Sequence, residues 1–401
     1  MAVEPEQIAD LIESPLRERI PRWEELPADP VRRVTLLRKT FPPDVLPAIL
    51  ELSELRYRAR AKFYRPERMF FDREGLEQAT TEDIATERGL AFHEAVETLA
   101  DLTCGIGGDS IQFAVGSDAH VIASDISAAR VAMARANMEA HFAPSGLECV
   151  TFRVAAAEDY PAAEGYFLDP SRRAAGKRSR HLAGLSPSAD LILELSRKAK
   201  TMAAKLSPAT PDEELALLGG SVEFVSHRGE CKEAVVWYGA CAPESSRTAH
   251  IVGGYGLSAV PGVPDPPISE PLRYLLEPDP AIIRAGLIPE LCQKLNAAAM
   301  DPRIGYLTVD VPTPSVLVSC YEILRSLPFS LKAVRAALRE FEIGSVEVKK
   351  RASAADVPTL LRQLQSPHPG TGTVILTRIG EKPWAFVCRA ALRSYNGHLN
   401  I

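Results

Sequence analysis

No apolar run in the 401-residue sequence approaches the roughly 18–20 residues of a membrane span, so a transmembrane helix is not expected. The first residues, Met1-Ala2-Val3-Glu4-Pro5-Glu6, lack the basic and apolar regions of a signal peptide, and the expected location is the cytoplasm. The seven cysteines are scattered without a Cys-x-x-Cys pair, which argues against a disulfide framework or a structural zinc site. Internal repeats and low-complexity tracts are absent. No bulk excess of cations announces a nucleic-acid binder, because the net charge is −6. What is present is an ordinary globular composition, 46% hydrophobic and 24% charged, with length enough for two to four domains. The 32 prolines point to ordered loops and several domain junctions.

The distribution of charge is more telling than its sum. Residues 326–401 hold 11 Lys and Arg against 5 Asp and Glu, so the preceding 325 residues carry −12. A basic module on an acidic body is one reading, and chance clustering on a solvated face is the other. Two shorter basic stretches raise the same alternatives. Arg56 to Arg65 interleaves cations with aromatics, which suits phosphate and base contacts or a solvated helix end. Residues 171–180 contain Arg172, Arg173, Lys177, Arg178 and Arg180 without an acid, which suits a phosphate grip or a solvated loop.

Residues 1–90 read as helical, with Leu46, Ile49, Leu50, Leu52 and Leu55 at helical spacing. From 91 to 250 the period changes. A strand ends in Asp101, a helix begins near Ser110, and His120–Asp125 reads as a buried strand before a helix over Ala128–Phe142. Strands follow at Val150–Val154 and Tyr166–Leu168, a helix at Leu191–Leu195, a strand at Met202–Leu206, and a closing hairpin at Val222–Val225 and Val235–Tyr238. Such alternation means a doubly wound α/β sheet. Residues 251–325 begin in a Gly/Pro-rich junction and suggest a small α+β unit, with one helix near Pro280–Asn296. Residues 326–401 suggest a compact α+β sandwich.

The strongest chemical signal is the loop Asp101-Leu102-Thr103-Cys104-Gly105-Ile106-Gly107-Gly108-Asp109 between strand and helix. Its glycines permit positive φ and close approach of a ligand to the backbone, and the helix start offers free N–H groups. Asp125, at the end of the next strand, is placed to accept from both hydroxyls of a ribose. Ile126 follows it. An acid at Asp109, with Asp101 in the same mouth, would repel a pyrophosphate but suits an ammonium and a sulfonium, which favours S-adenosylmethionine over a dinucleotide. Cys104 lies under the loop, where a small buried residue is expected. The second signal is Asp169-Pro170-Ser171-Arg172-Arg173 after the fourth strand. The Asp169 carboxylate and the Pro170 carbonyl could both accept from an exocyclic amine and orient its lone pair for methyl transfer.

These residues carry a resemblance. Arg68 to Ala114 is similar to the trimethylguanosine synthase type of class I methyltransferase, through Asp72-Arg73-Glu74-Gly75, Thr80, and Asp101 through Ala114. The likeness implies an S-adenosylmethionine site including Thr80, Asp101, Gly105, Gly107 and Asp125, with Glu158 or Asp159 meeting the adenine amine. The whole chain resembles bacterial class I methyltransferases with a THUMP-like C-terminal domain, through Glu77–Thr80, Asp169–Arg173, Ser226–Glu233, Glu277–Leu287 and Val348–Arg351. It implies a helical N-terminal region (1–90), a Rossmann-like α/β catalytic core (91–250), a ferredoxin-like α+β unit (251–325) and a THUMP-like basic domain (326–401). THUMP domains bind RNA, so tRNA or rRNA is the implied partner, with Arg172 and Arg173 on the substrate and no metal.

The chain departs from the synthases after Asp169-Pro170, where it has Ser171 and Arg172 in place of an aromatic that stacks on the cap. A cap substrate is therefore not expected, although an Arg plane can still stack on a base. Methylation of an RNA base nitrogen leads. A non-catalytic protein that binds S-adenosylmethionine and RNA, and a methyltransferase of a small molecule or protein, stand as alternatives.

Overall fold

In a computed structural model the chain folds into two compact units, Met1–Val222 with Glu233–Glu244, and Glu223–Lys232 with Ser245–Ile401. The structure describes residues 3–142, 148–171, 173–174, 177–178, 181–389, 393–395 and 398–400. Among them no helix is long and apolar enough to cross a membrane.

The first unit opens with helices α1 (Pro5–Ala9), α2 (Pro30–Leu37), α3 (Leu46–Ala59), α4 (Arg73–Gln78) and α5 (Glu82–Ala91). The Leu46, Ile49, Leu52 and Leu55 stripe of α3 is buried as its spacing predicts. It shares one apolar core with Phe71 and, across the chain, with Ala129 and Met133. The helical region is thus built onto the catalytic fold. The basic segment 56–65 is divided: Arg56, Lys62 and Phe63 are tied into this packing, while Tyr57, Arg58, Tyr64 and Arg65 are exposed. Arg56 donates from Nε to the Met69 carbonyl at 2.8 Å, Arg60 pairs with Glu24, and Phe63 is buried. Lys62 donates to the carbonyls of Leu76, Glu77 and Ala79 at 2.8, 2.9 and 2.7 Å, which closes the carboxyl end of α4 with a cation.

The sheet of this unit contains β1 (Thr98–Asp101), β2 (His120–Asp125), β3 (Val150–Val154), β4 (Gly165–Leu168) and β5 (Thr201–Leu206), all parallel, with the antiparallel β7 (Glu230–Gly239) after the intervening strand β6 (Ser221–His227). Its order is β3-β2-β1-β4-β5-β7. Helices α6 (Gly108–Gly116), α7 (Ala128–His141), α8 (Ala189–Ser196) and α9 (Asp212–Leu218) alternate with the strands. The chain winds outward from β1 to β3, then restarts at β4 beside β1. That reversal opens a crevice at the carboxyl ends of β1 and β4, where doubly wound sheets bind ligands.

The second unit holds β8 (Arg247–Ile251) paired with β9 (Tyr255–Ser258), and a seven-stranded sheet. Its strands are β10 (Tyr274–Pro278), β11 (Ala298–Ala299), β12 (Leu307–Val309), β13 (Val318–Pro328), β14 (Ile343–Lys350), β15 (Gly370–Ile379) and β16 (Lys382–Cys388), in the order β11-β12-β10-β13-β16-β15-β14. The single helix expected over Pro280–Asn296 is two, α10 (Pro280–Ala285) and α11 (Ile288–Leu295), because Gly286 adopts φ 75° and caps the first. Helices α12 (Leu331–Glu340) and α13 (Val357–Leu364) cover the sheet with the stripe Val334, Leu338, Leu360 and Leu364. The long strand β13 pairs with β10 through its first half and with β16 through its second, with a register shift between Ile323 and Arg325. It therefore runs through the boundary expected near 325 and joins both segments in one sheet.

Lys62→Met is expected to lower the unfolding free energy by about 1–3 kcal/mol, since three carbonyls lose a charged donor. Urea unfolding reads the stability. Amide exchange over 78–80 should quicken in the variant, and unchanged exchange there would show that Lys62 does not hold the turn.

Candidate active site

The crevice is framed by the loop after β1, the ends of β2 and β4, and the turn after β3. The loop is tied to β2 by the Cys104 N–H, which donates to the Ser124 carbonyl at 2.8 Å. Asp125 organises the junction. Its Oδ2 accepts from the Gly105 N–H and its Oδ1 from the Ser127 N–H, each at 2.9 Å. Gly105 and Gly107 have φ of +53° and +88°. A Cβ at Gly107 would lie 3.0 Å from the Ala134 Cα, so this glycine permits close packing of the loop on α7. A Cβ at Gly105 would meet nothing within 4 Å, so the backbone there faces open space. Ile126 is 78% exposed beside this space, a large apolar face without a cover. Cys104, Gly105, Asp125, Ile126, Glu158 and Asp169 all line the crevice.

The other expected residues sit elsewhere. Asp101 is 1% exposed and turned inward, where its carboxyl accepts from Ser110 Oγ at 2.5 Å and from the Thr103 N–H at 3.2 Å. It does not add an open acid to the mouth, and burial pushes it up to about 8. Burial also pushes the Cys104 thiol up, which leaves it protonated. Thr80 is buried behind the wall, and Pro170 is buried after Asp169. Asp159 is exposed next to Glu158 but is not among the lining residues. Arg172 lies outside the described residues. Arg173 is described only in its backbone, which pairs with Arg178 in a short antiparallel turn. That loop is closed at its base by Ser171 and Ser186, whose N–H and carbonyl groups exchange bonds of 2.8 and 3.0 Å.

The acid at the start of α6 is not bare either. The Asp109 carboxylate pairs with Arg88 and accepts from Thr80 Oγ1 at 2.9 Å. Arg88, 4% exposed, also pairs with Glu233 of β7 and lies over the Phe167 ring at 5.0 Å. Lys205 of β5 reaches Asp169 Oδ2 at 2.5 Å and Thr80 Oγ1 at 2.9 Å. Burial opposes the charge on both cations, but the facing acids outweigh it and hold each above its ordinary value. On the opposite wall Arg130 bridges Asp72 at 3.4 Å and Glu74 at 3.2 Å. Sequence reasoning missed Arg88, Lys205 and Arg130. The one available signal was Lys205, a lone charge inside the buried strand Thr201–Leu206.

The chain is 30% identical over 362 residues to a Mycobacterium tuberculosis protein carried by strains CDC 1551 and H37Rv, named an uncharacterized S-adenosylmethionine-dependent methyltransferase. The match spans 86% of this chain and 98% of that one. The chain belongs to the S-adenosylmethionine-dependent methyltransferases. A crystal structure of a candidate methyltransferase from Porphyromonas gingivalis W83 shares the fold, with a TM-score of 0.73 over 97% of this chain and 99% of that one at 18% identity. Residues 318–390 match the family model described as THUMP domain-like. The methyltransferase's crevice suits its cofactor S-adenosylmethionine, because an exposed apolar Ile126, an open Gly105 backbone and the Asp125 carboxylate meet at its mouth. When bound, that cofactor supplies an electrophilic methyl group on a sulfonium. Among the described residues, no group of three His, Cys, Asp or Glu side chains could hold a metal ion.

Asp101 makes stability pH-dependent in a defined direction. Its folded value of about 8 lies above the ordinary 3.8, so the folded state keeps a proton that the unfolded chain loses. That contribution is complete below about pH 4 and is lost as pH rises through 8, by about 1 kcal/mol per unit. Asp101→Asn should therefore gain stability relative to the parent between pH 5 and 8 in chemical denaturation. Parallel profiles would show that Asp101 is ionised in the fold.

Proposed function

We propose that this methyltransferase modifies a base nitrogen of RNA, tRNA or rRNA, with Asp169 and the Pro170 carbonyl orienting the acceptor amine. The observation that carries the reading is the position of Asp169. It ends β4 in the same crevice as Asp125, with one carboxylate oxygen held by Lys205 and the side chain partly open to the space. A fixed carboxylate can accept an N–H, aim the lone pair and relieve the charge that builds on nitrogen. On the cofactor side, Asp125 would take the ribose hydroxyls, Ile126 the adenine face, and Glu158 or Asp159 the adenine amine. Cys104, Gly105 and Gly107 would shape the floor, and Thr80 and Asp101 would act through Asp109 and Ser110. The one cysteine among the residues lining the crevice, Cys104, is buried, and burial keeps its thiol protonated, which does not suit carbon methylation.

Support for RNA comes from the THUMP-like match and from the +6 charge of residues 326–401. Arg172 and Arg173 follow Ser171 in the sequence, and Ser171 lines the crevice, so cations at these positions would favour a phosphate-bearing substrate. A soluble cytoplasmic enzyme is the setting this reading assumes.

The test uses radiolabelled methyl transfer from S-adenosylmethionine into bulk RNA from cells lacking this gene. Asp169→Asn should reduce incorporation by about 100-fold or more with cofactor affinity unchanged, while Asp125→Ala should weaken cofactor binding about 10- to 100-fold by calorimetry. Label confined to protein or small molecules would overturn the RNA assignment.

RNA affinity should also fall steeply with salt. Removing the exposed cations Lys332 and Arg339 of α12 should flatten the slope of log K against log salt by about 0.7 for each phosphate no longer neutralised. An unchanged slope would move the RNA surface away from α12.

A further inference from the structure

Lys205 is an expensive residue to bury. Strand β5 is buried at all six positions, Thr201 to Leu206, and its neighbours Met202, Ala203, Ala204 and Leu206 are apolar. Packing alone does not call for this charge, since a buried ion pair replaced as a whole by apolar side chains is often neutral or stabilising, whereas removing one partner leaves the other charge unpaired. The geometry shows what the charge contributes. Beyond Asp169 Oδ2 at 2.5 Å and Thr80 Oγ1 at 2.9 Å, Lys205 Nζ lies 3.5 Å from the Gln78 carbonyl. Thr80 donates its own hydroxyl proton to Asp109, so its lone pair is what receives Lys205. Gln78 and Ala79 line the cofactor crevice from one side, and Asp169 lines it from the other. Lys205 stands behind both and is not itself a lining residue.

We infer that Lys205 is a positioning residue that makes the placement of the acceptor carboxylate depend on the cofactor-side turn 78–80. Cofactor seated against Gln78 and Ala79 braces this turn beyond the bonds Lys62 already makes to it, the braced turn fixes the ammonium, and the ammonium fixes Asp169. The neighbouring cation acts on Asp169 only through space, as a charge that favours its ionised form. Arg88 is engaged by Asp109 and Glu233 and has no described bond to Asp169. The inference rests on Asp169 being the acceptor carboxylate but not on the acceptor being RNA. The coupling is reciprocal: S-adenosylmethionine prepares Asp169 for the acceptor, and an acceptor held on Asp169 favours the cofactor-side turn to the same extent.

Amide hydrogen exchange on the full chain, with and without S-adenosylmethionine, tests it without an acceptor. In the parent protein the cofactor should slow exchange both at 103–108 and at 169–171. In Lys205→Met the cofactor should still bind within about threefold and protect 103–108, but protection at 169–171 should disappear, and Lys205→Arg should restore part of it. Protection at 169–171 retained in Lys205→Met would overturn the inference. So would a comparable loss of protection at both segments, which would make Lys205 a residue of the cofactor fold alone. If Lys205→Met does not fold, Thr80→Val reads the same link, because it removes the oxygen that receives Lys205. In the bulk-RNA assay, Lys205→Met should lower turnover by about 100-fold while the KM for S-adenosylmethionine stays within about threefold. Failure of the parent protein to label RNA would sink the substrate reading and leave the exchange result to decide this one.

Discussion

Two buried cations in the wall of the crevice set the terms for everything around them. An arginine and a lysine inside a protein each cost several kcal/mol of lost hydration, and only close anions repay it. Arg88 and Lys205 meet Asp109, Glu233 and Asp169, contributed by α5, β5, α6, β7 and the end of β4. Because each pair joins distant segments, the charges can be satisfied only when helix, sheet and loops are all in place. The residue proposed to hold the acceptor and the acid at the start of the cofactor helix are thereby parts of one hydrogen-bonded chain, with the Thr80 hydroxyl between them.

The same constraint explains the helical N-terminal region. Thr80 and Arg88 belong to its last two segments, and Asp72 and Glu74 hold Arg130 on the opposite wall. Those segments are fixed in turn by an apolar core that α3 shares with α7, and by Lys62 at the end of α4. Residues 1–90 therefore complete the crevice.

Local chemistry was legible in the sequence and long-range pairing was not. The glycine loop, Asp125 and Asp169 each sit at a strand end, and a strand, a loop and a helix announce themselves within a dozen residues. The charge network leaves no such trace, because Arg88 and Glu233 are 145 positions apart and Lys205 and Asp169 are 36 apart. For that reason Asp109 and Asp101 read as open acids, whereas one is paired with Arg88 and the other is folded onto Ser110. The basic stretch 56–65 left two readings open for a related reason. A run of cations looks the same in sequence whether it faces solvent or donates to carbonyls, as Arg56 and Lys62 do. In the second unit, β13 was invisible because a boundary drawn near 325 cut it in half, and Gly286 ended a helix that periodicity alone would have continued.

The cofactor crevice, its charge network and the carboxylate at the end of β4 all lie within the first unit. Nothing in the chemistry of methyl transfer asks for the 167 residues of the second unit, because the reaction needs an electrophile, an oriented lone pair and exclusion of water. The second unit is nonetheless a substantial construction, with seven strands threaded by β13, two covering helices and cores of its own. It also carries the positive share of a chain that is otherwise acidic. Under the proposed RNA reading this cationic charge has a use, because phosphates far from the reacting base can be held without reading sequence.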